Sequence, residues 1–171
     1  MTATRAIVVM GVSGSGKTSV ADGLAAALGT AFIEGDSLHP AGNVEKMSRG
    51  VPLTDEDRWP WLDTIGQALA GSLDAGKSVV VSCSALKKIY RDRLRQSAGG
   101  ALTFVFLKGS RDLLTARMAA RHGHFMPASL LDSQLATLED PSGEAGVVTV
   151  GIDAAVETIV ARALDGLKTV G

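Results

Sequence analysis

The stretch Ala6-Ile7-Val8-Val9-Met10-Gly11-Val12-Ser13-Gly14-Ser15-Gly16-Lys17-Thr18 decides how this chain is read. Its first five residues are apolar and mostly β-branched, as in a buried strand, and Gly11 to Thr18 fit the pattern GxxxxGK followed by Ser or Thr. Ser19 to Leu28 continue with helical apolar spacing, so strand, glycine-rich loop and helix occur in the order a phosphate-binding loop needs. The glycines let the backbone turn successive N–H groups into an anion-binding concavity at the positive end of the helix. Lys17 reaches the β- and γ-phosphates as a point charge, and the Thr18 hydroxyl suits a Mg²⁺ ligand bridging the same phosphates. Gly11, Val12, Ser13, Gly14, Ser15, Gly16, Lys17 and Thr18 are therefore the expected nucleotide-binding residues, with Thr18 on the metal.

Working outward, strand-like apolar runs recur at Ala31–Glu34, Ser78–Cys83, Leu102–Leu107 and Val147–Ile152. Helical patterns separate most of them, at Lys17–Leu28, Ala41–Ser48, Pro60–Leu73, Lys87–Gln96, Arg111–Arg121, Ala128–Leu138 and Ala154–Leu167. The alternation predicts an α/β fold, a parallel sheet with helices on both faces. Thr54 is expected to cap a short turn with Asp57 before a longer helix opens at Pro60, and Asp153 is expected to cap the last helix. Two mixed segments, roughly residues 35–59 and 121–127, lie where an open α/β sheet builds its ligand crevice. They are expected to form an acceptor-binding insertion and a lid within one domain spanning residues 1–171.

Composition narrows the class. A net charge of −1 without basic runs gives no source of affinity for a nucleic-acid backbone, and no apolar run approaches the length of a membrane span. The single Cys83 allows no intramolecular disulfide, and the N-terminal residues lack the pattern of a secretory signal. A cytoplasmic protein acting on a small molecule is the expectation. Cys83 reads as a buried structural thiol, with a reactive role as the alternative.

Phosphoryl transfer needs a group that orients the acceptor hydroxyl and cations that neutralise the transferring phosphate. Asp36, after the second strand in Glu34-Gly35-Asp36, is the leading carboxylate, a reading that competes with a plain turn or N-cap role beside Ser37 and Pro40. Glu34 either assists the metal or faces solvent. Arg117, Arg121, His122 and His124 concentrate cations near the lid, unless they simply end a solvated helix. Arg58 is the first choice for an acceptor carboxylate, because its planar fork suits bidentate pairing, and Lys87 the second. Trp59 and Trp61 read as packing residues before sugar-stacking ones.

These segments together resemble the gluconokinases, small P-loop carbohydrate kinases related to shikimate and nucleoside monophosphate kinases. The resemblance rests on the phosphate loop, Glu34-Gly35-Asp36 with Leu38-His39-Pro40, and Asn43-Val44-Glu45-Lys46-Met47. It continues through Pro52 to Leu62 in PLTDEDRWPWL, Cys83-Ser84-Ala85-Leu86-Lys87-Lys88 with Tyr90-Arg91-Asp92, and Gly123-His124-Phe125. It implies a three-layer αβα P-loop NTPase fold with sheet order 2-3-1-4-5 and a homodimer. It also implies ATP- and Mg²⁺-dependent phosphorylation of D-gluconate to 6-phosphogluconate, which feeds the pentose phosphate pathway. Lys17, Asp36 and Arg121 would then be catalytic, and Arg117 would serve the adenine side. Asp36, His39, Arg58, Ser84, Ala85, Lys87 and His124 would bind the acceptor. The third strand ends in Ser82-Cys83-Ser84, without the acidic residue that holds Mg²⁺ in many P-loop enzymes, and Glu34 stands where shikimate kinases have an aspartate. A kinase for another small acceptor and a nucleotide-binding regulatory protein are the competing readings.

Overall fold

A computed structural model of the chain describes residues 4–12, 14–99, 102–120 and 129–169. Its strands are β1 (Ala6–Met10), β2 (Ala31–Glu34), β3 (Val79–Ser82), β4 (Leu102–Lys108) and β5 (Val147–Gly151). They form one parallel sheet in the order β2-β3-β1-β4-β5. β1 lies at the centre with all five residues buried, which is why Ala-Ile-Val-Val-Met shows no polar alternation. Phe104, Val105 and Phe106 on one side and Val79, Val80 and Val81 on the other complete a continuous apolar core.

The helices are α1 (Lys17–Leu28), α2 (Ala41–Ser48), α3 (Asp55–Asp74), α4 (Lys88–Ala98), α5 (Arg111–Ala120), α6 (Ser129–Thr137) and α7 (Val156–Leu167). α1 opens on Gly16 at φ 88° and closes on Gly29 at φ 67°, both in the left-handed region, so glycine chemistry sets both of its ends.

Two expected helix starts are corrected. α3 is one helix starting at Asp55, five residues before Pro60. The capping box is as read: Thr54 Oγ1 accepts from the Asp57 N–H at 3.1 Å, and Asp57 Oδ2 accepts from the Thr54 N–H at 2.9 Å. An internal proline removes one helix hydrogen bond, but a capped start and the buried face of Trp61, Leu62, Ile65 and Leu69 outweigh that loss. Asp153 does not cap the last helix, whose N-cap is Ala155; Asp153 pairs instead with Arg162 at 3.5 Å. Among the described residues no helix is long and apolar enough to cross a membrane.

Candidate active site

Parallel register brings the expected residues to one edge. Glu34 at the end of β2 pairs with Ser82 at the end of β3, which also pairs with Val9 of β1, just before the phosphate loop. Glu34 is half-buried, with both carboxylate oxygens hydrogen-bonded beside the phosphate loop. Its Oε2 accepts from the Thr18 hydroxyl at 2.5 Å and its Oε1 from the Ser82 hydroxyl at 2.5 Å. The neighbouring strand thus supplies a carboxylate where β3 ends in serine. These hard oxygen donors fit a Mg²⁺ ion and its waters.

Within the loop, Gly14 and Gly16 have φ of 83° and 88°, a backbone that side chains disfavour and an anion nest requires. Lys17 Nζ lies 3.2 Å from the Val12 carbonyl oxygen. Ser15 is fully buried, and its hydroxyl is the one buried side-chain polar atom among the described residues without a hydrogen-bond partner. Ser13 lies outside the described residues, as do Arg121, His124 and the rest of the expected lid. Arg117 donates to the Ile152 and Ala154 carbonyls, tying α5 to the segment after β5.

After Glu34 the chain makes a tight 3-10 turn, Gly35–Leu38, that carries Asp36. Gly35 sits so close to β3 that an added Cβ would lie 1.9 Å from the Ser82 carbonyl oxygen. Its N–H donates to Ser82 Oγ at 3.2 Å, and its carbonyl accepts from the Trp61 indole at 2.8 Å. The turn is therefore fixed from both sides, with the Asp36 side chain left 55% exposed.

Asp36 opens onto a cavity that Lys17, His39, Arg58, Trp61 and Ser84 also line, with Ser133 and Gln134 of α6 opposite and Met47, Pro52, Leu53 and Leu86 as its apolar wall. The phosphate-loop lysine thus shares one cavity with the acceptor candidates Asp36, His39, Arg58 and Ser84. Trp61 is buried and stacks on His39, with centroids 4.0 Å apart and 17° between planes. Trp59 packs edge-on against Tyr90 and carries the Arg93 guanidinium. The packing reading of both tryptophans is the one the structure supports. His39 is pushed down to about 4, mainly by burial, with the Arg58 charge adding to that and the Asp36 charge opposing it.

Two expected acceptor residues sit differently. Ala85 is fully buried and does not line the cavity; it holds φ 46°, and its carbonyl accepts from Arg91 at 2.8 Å. Lys87 also lies off the cavity wall and pairs with Asp55 at 3.1 Å. Arg58 does reach the cavity. Its Nη1 donates to the Tyr90 hydroxyl at 2.7 Å, and that hydroxyl in turn donates to Asp55. Hydrogen bonds from Tyr90 and then Lys87 hold the Asp55 carboxyl below its ordinary range, while burial, then the bond to Asp55, raises Tyr90. Burial, reinforced by the Asp36 charge, pushes the Cys83 thiol up to about 12, which fits the structural reading of that residue.

The sequence reading assigned no role to Arg91, whose side chain is fully buried. It donates to the carbonyls of Ala85, Leu86 and Glu139 and to the Glu144 carboxylate, at distances of 2.6–3.2 Å. Burial alone would raise the Glu144 carboxyl, but the bonds and charge of Arg91 bring it below its usual range. Arg91 thereby joins the loop after β3, which lines the cavity at Ser84 and Leu86, to the segment that follows α6. A charged residue on the same helical face as Tyr90, Leu94 and Ala98 was the available signal.

Comparison with known proteins agrees with this fold. A P-loop family model described as an AAA domain matches residues 7–141. The gluconokinase of Gluconobacter oxydans is 54% identical over 146 residues, covering 85% of this chain and 82% of that protein. The thermoresistant gluconokinase of Escherichia coli is 44% identical over 162 residues, covering 94% and 92%. A solved gluconokinase from Sinorhizobium meliloti superposes with a TM-score of 0.88 at 58% identity, covering 96% of this chain and 91% of that one. With 44–54% identity along 82–92% of these relatives' length and a family model that spans most of the chain, the chain belongs to the gluconokinase family of P-loop kinases.

Proposed function

We propose that the protein transfers the γ-phosphoryl group of ATP to the terminal hydroxyl of D-gluconate, giving 6-phospho-D-gluconate and ADP. The observation that carries this reading is the single cavity lined by Lys17 of the phosphate loop, Asp36 and Arg58. The acceptor oxygen forms the new bond to phosphorus as the bond to the β–γ bridging oxygen breaks, and Asp36 takes the hydroxyl proton. Lys17 and the loop N–H groups hold the phosphates. Arg58, oriented by Tyr90, faces the acceptor carboxylate, and Ser84 lines its pocket. Thr18 and Glu34 would hold Mg²⁺ with its waters, and the ion supplies charge neutralisation when bound. Arg117 serves the adenine side, and Arg121 and His124 the lid. The family likeness extends the proposal to a cytoplasmic homodimer.

The test is ADP production with Mg-ATP and gluconate, shikimate, AMP or no acceptor. Gluconate-dependent turnover yielding 6-phosphogluconate is expected, because a misfitting acceptor leaves buried polar groups unpaired. Turnover with shikimate or AMP alone, or no acceptor dependence with ATP still bound, would overturn the assignment.

A further inference from the structure

We infer that Asn43 locks His39 in the neutral tautomer protonated on Nε2, making His39 a hydrogen-bond donor to the acceptor beside Asp36 and not a second base. The argument starts from Asn43, a buried residue of α2. Its Nδ2 lies 2.9 Å from the Asp57 carbonyl oxygen. A carbonyl only accepts, so the amide nitrogen must face it; the rotated amide would set two oxygens against each other. The same nitrogen lies 3.2 Å from His39 Nδ1 and directs its second N–H there. Nδ1 is therefore an acceptor, and a neutral imidazole that accepts on Nδ1 carries its proton on Nε2.

The surroundings hold this arrangement. The His39 side chain is 3% exposed and stacked on Trp61, so the ring has little freedom to turn. An imidazolium would press its Nδ1 proton against the Asn43 amide protons. Arg58 from α3 disfavours the cation, and Asp36 from the 3-10 turn is the opposing charge. Nε2 stands 4.0 Å from Asp36 Oδ1, too far for a direct hydrogen bond and suited to a single oxygen placed between them. A hydroxyl there accepts from Nε2–H while donating its proton to Asp36. His39 then fixes the lone pair that the oxygen does not use for attack, and Asn43 is a positioning residue acting through it.

The identity of the oxygen rests on the acceptor reading above, whereas the tautomer is a property of the chain alone. Nitrogen-15 NMR of the uniformly labelled protein at neutral pH, with His39 assigned by its loss in His39→Gln, is expected to show Nε2 protonated and Nδ1 bare. A ring protonated on Nδ1, or on both nitrogens, would overturn the inference, whatever the acceptor proves to be. Asn43→Asp places an acceptor against Nδ1 and should move the proton to that nitrogen. A neutral ring then has no donor at Nε2, and an imidazolium turns its Nε2–H to Asp36, so in either form KM for gluconate should rise roughly tenfold while KM for ATP stays within about twofold. A moved proton with an unchanged gluconate KM would remove His39 from acceptor binding. The wild-type spectrum decides the tautomer even where Asn43→Asp folds poorly.

Discussion

The two halves of the cavity are built in different ways. On the nucleotide side, eight consecutive residues, Gly11 to Thr18, run from the end of β1 into the first turn of α1 as the phosphate loop, and backbone conformation at Gly14 and Gly16 sets its shape. On the acceptor side, no two of the central residues Asp36, His39, Arg58 and Ser84 are adjacent in sequence, and each is held by a partner from elsewhere. Asn43 and Trp61 hold His39, Tyr90 holds Arg58, Ser82 and Trp61 hold the turn under Asp36, and Arg91 holds the loop around Ser84. A phosphate is the same in every nucleotide, so its cradle can be local. A polyhydroxy acid must be met at several separated atoms, and only long-range contacts bring enough groups together.

The largest expected effect tests whether the two halves separate at all. Asp36→Asn keeps the size of the side chain but removes the proton acceptor, so gluconate-dependent turnover should fall about 10²- to 10⁴-fold. ATP affinity, measured by calorimetry without acceptor, should stay within about twofold. A comparable loss of ATP binding would mean that Asp36 belongs to the nucleotide side, and unchanged turnover would remove it from catalysis.

Next comes Arg91→Met, which keeps the side-chain length and removes the charge. It removes the donor from the Ala85 and Glu139 carbonyls, while Glu144 keeps Arg95 at 3.3 Å and the Leu86 carbonyl keeps the Glu139 N–H at 2.8 Å, so the loss should fall at the lower end of the about 3–5 kcal/mol that breaking a buried pair on one side costs. Urea denaturation reads that loss. The comparison is sharpened by the kinetics of whatever folds: KM for gluconate should rise and KM for ATP should not, because Arg91 ties the Leu86 loop to the end of α6 and touches nothing in the phosphate loop. Equal changes in both constants would show that the acceptor frame also supports the nucleotide site.

A pH effect of roughly 3 kcal/mol should arise on the acceptor side alone. The His39 imidazole takes up a proton near its ordinary 6.5 in the unfolded chain but only near about 4 when folded. The unfolded state therefore binds more protons between these values. Stability from this group is complete above pH 6.5, declines as the pH falls to about 4, and is level below. Asp57 and Asp140, each held near about 2 by hydrogen bonds, lose their contribution only at lower pH, below their ordinary 3.8. Urea midpoints across this range should slope in the wild type and flatten in His39→Gln; an equal slope in both would place the titration elsewhere.

The same contrast explains what the sequence disclosed. The phosphate loop, the five strands and the position of Asp36 at the cavity were legible because each is written in a short run: Gly spacing, a β-branched apolar stretch, a carboxylate just past a strand end. The sheet order came only through family resemblance, since periodicity says which segments are strands and not which are neighbours. Glu34 stayed open between metal and solvent because its meaning depends on register with Ser82 across β3. Pro60 misled the start of α3, as a local helix-opening signal was overridden by a better cap six residues earlier and a buried face beyond it. Asn43, Tyr90 and Arg91 stood in quoted motifs without a role, because their partners Asp57, Arg58 and Glu144 are up to 53 residues away.

Thr54→Ala gives the smallest expected effect and the finest cut between local and distributed construction. The capping box is local and was read from sequence, yet its Asp57 also belongs to the acceptor frame: the carboxylate pairs with Lys46 at 2.7 Å and the carbonyl holds Asn43. Removing the Thr54 hydroxyl deletes one bond, from the Asp57 N–H, and should lower stability by about 0.5–2 kcal/mol. Asp57 retains Lys46 and the Thr54 backbone N–H, so its carbonyl should keep its place. Thermal unfolding should therefore register the loss while KM for gluconate stays within about twofold. If KM rises as is expected for Asn43→Asp, the cap reaches the acceptor through Asp57, Asn43 and His39, and the start of α3 is part of the binding site, not merely its support.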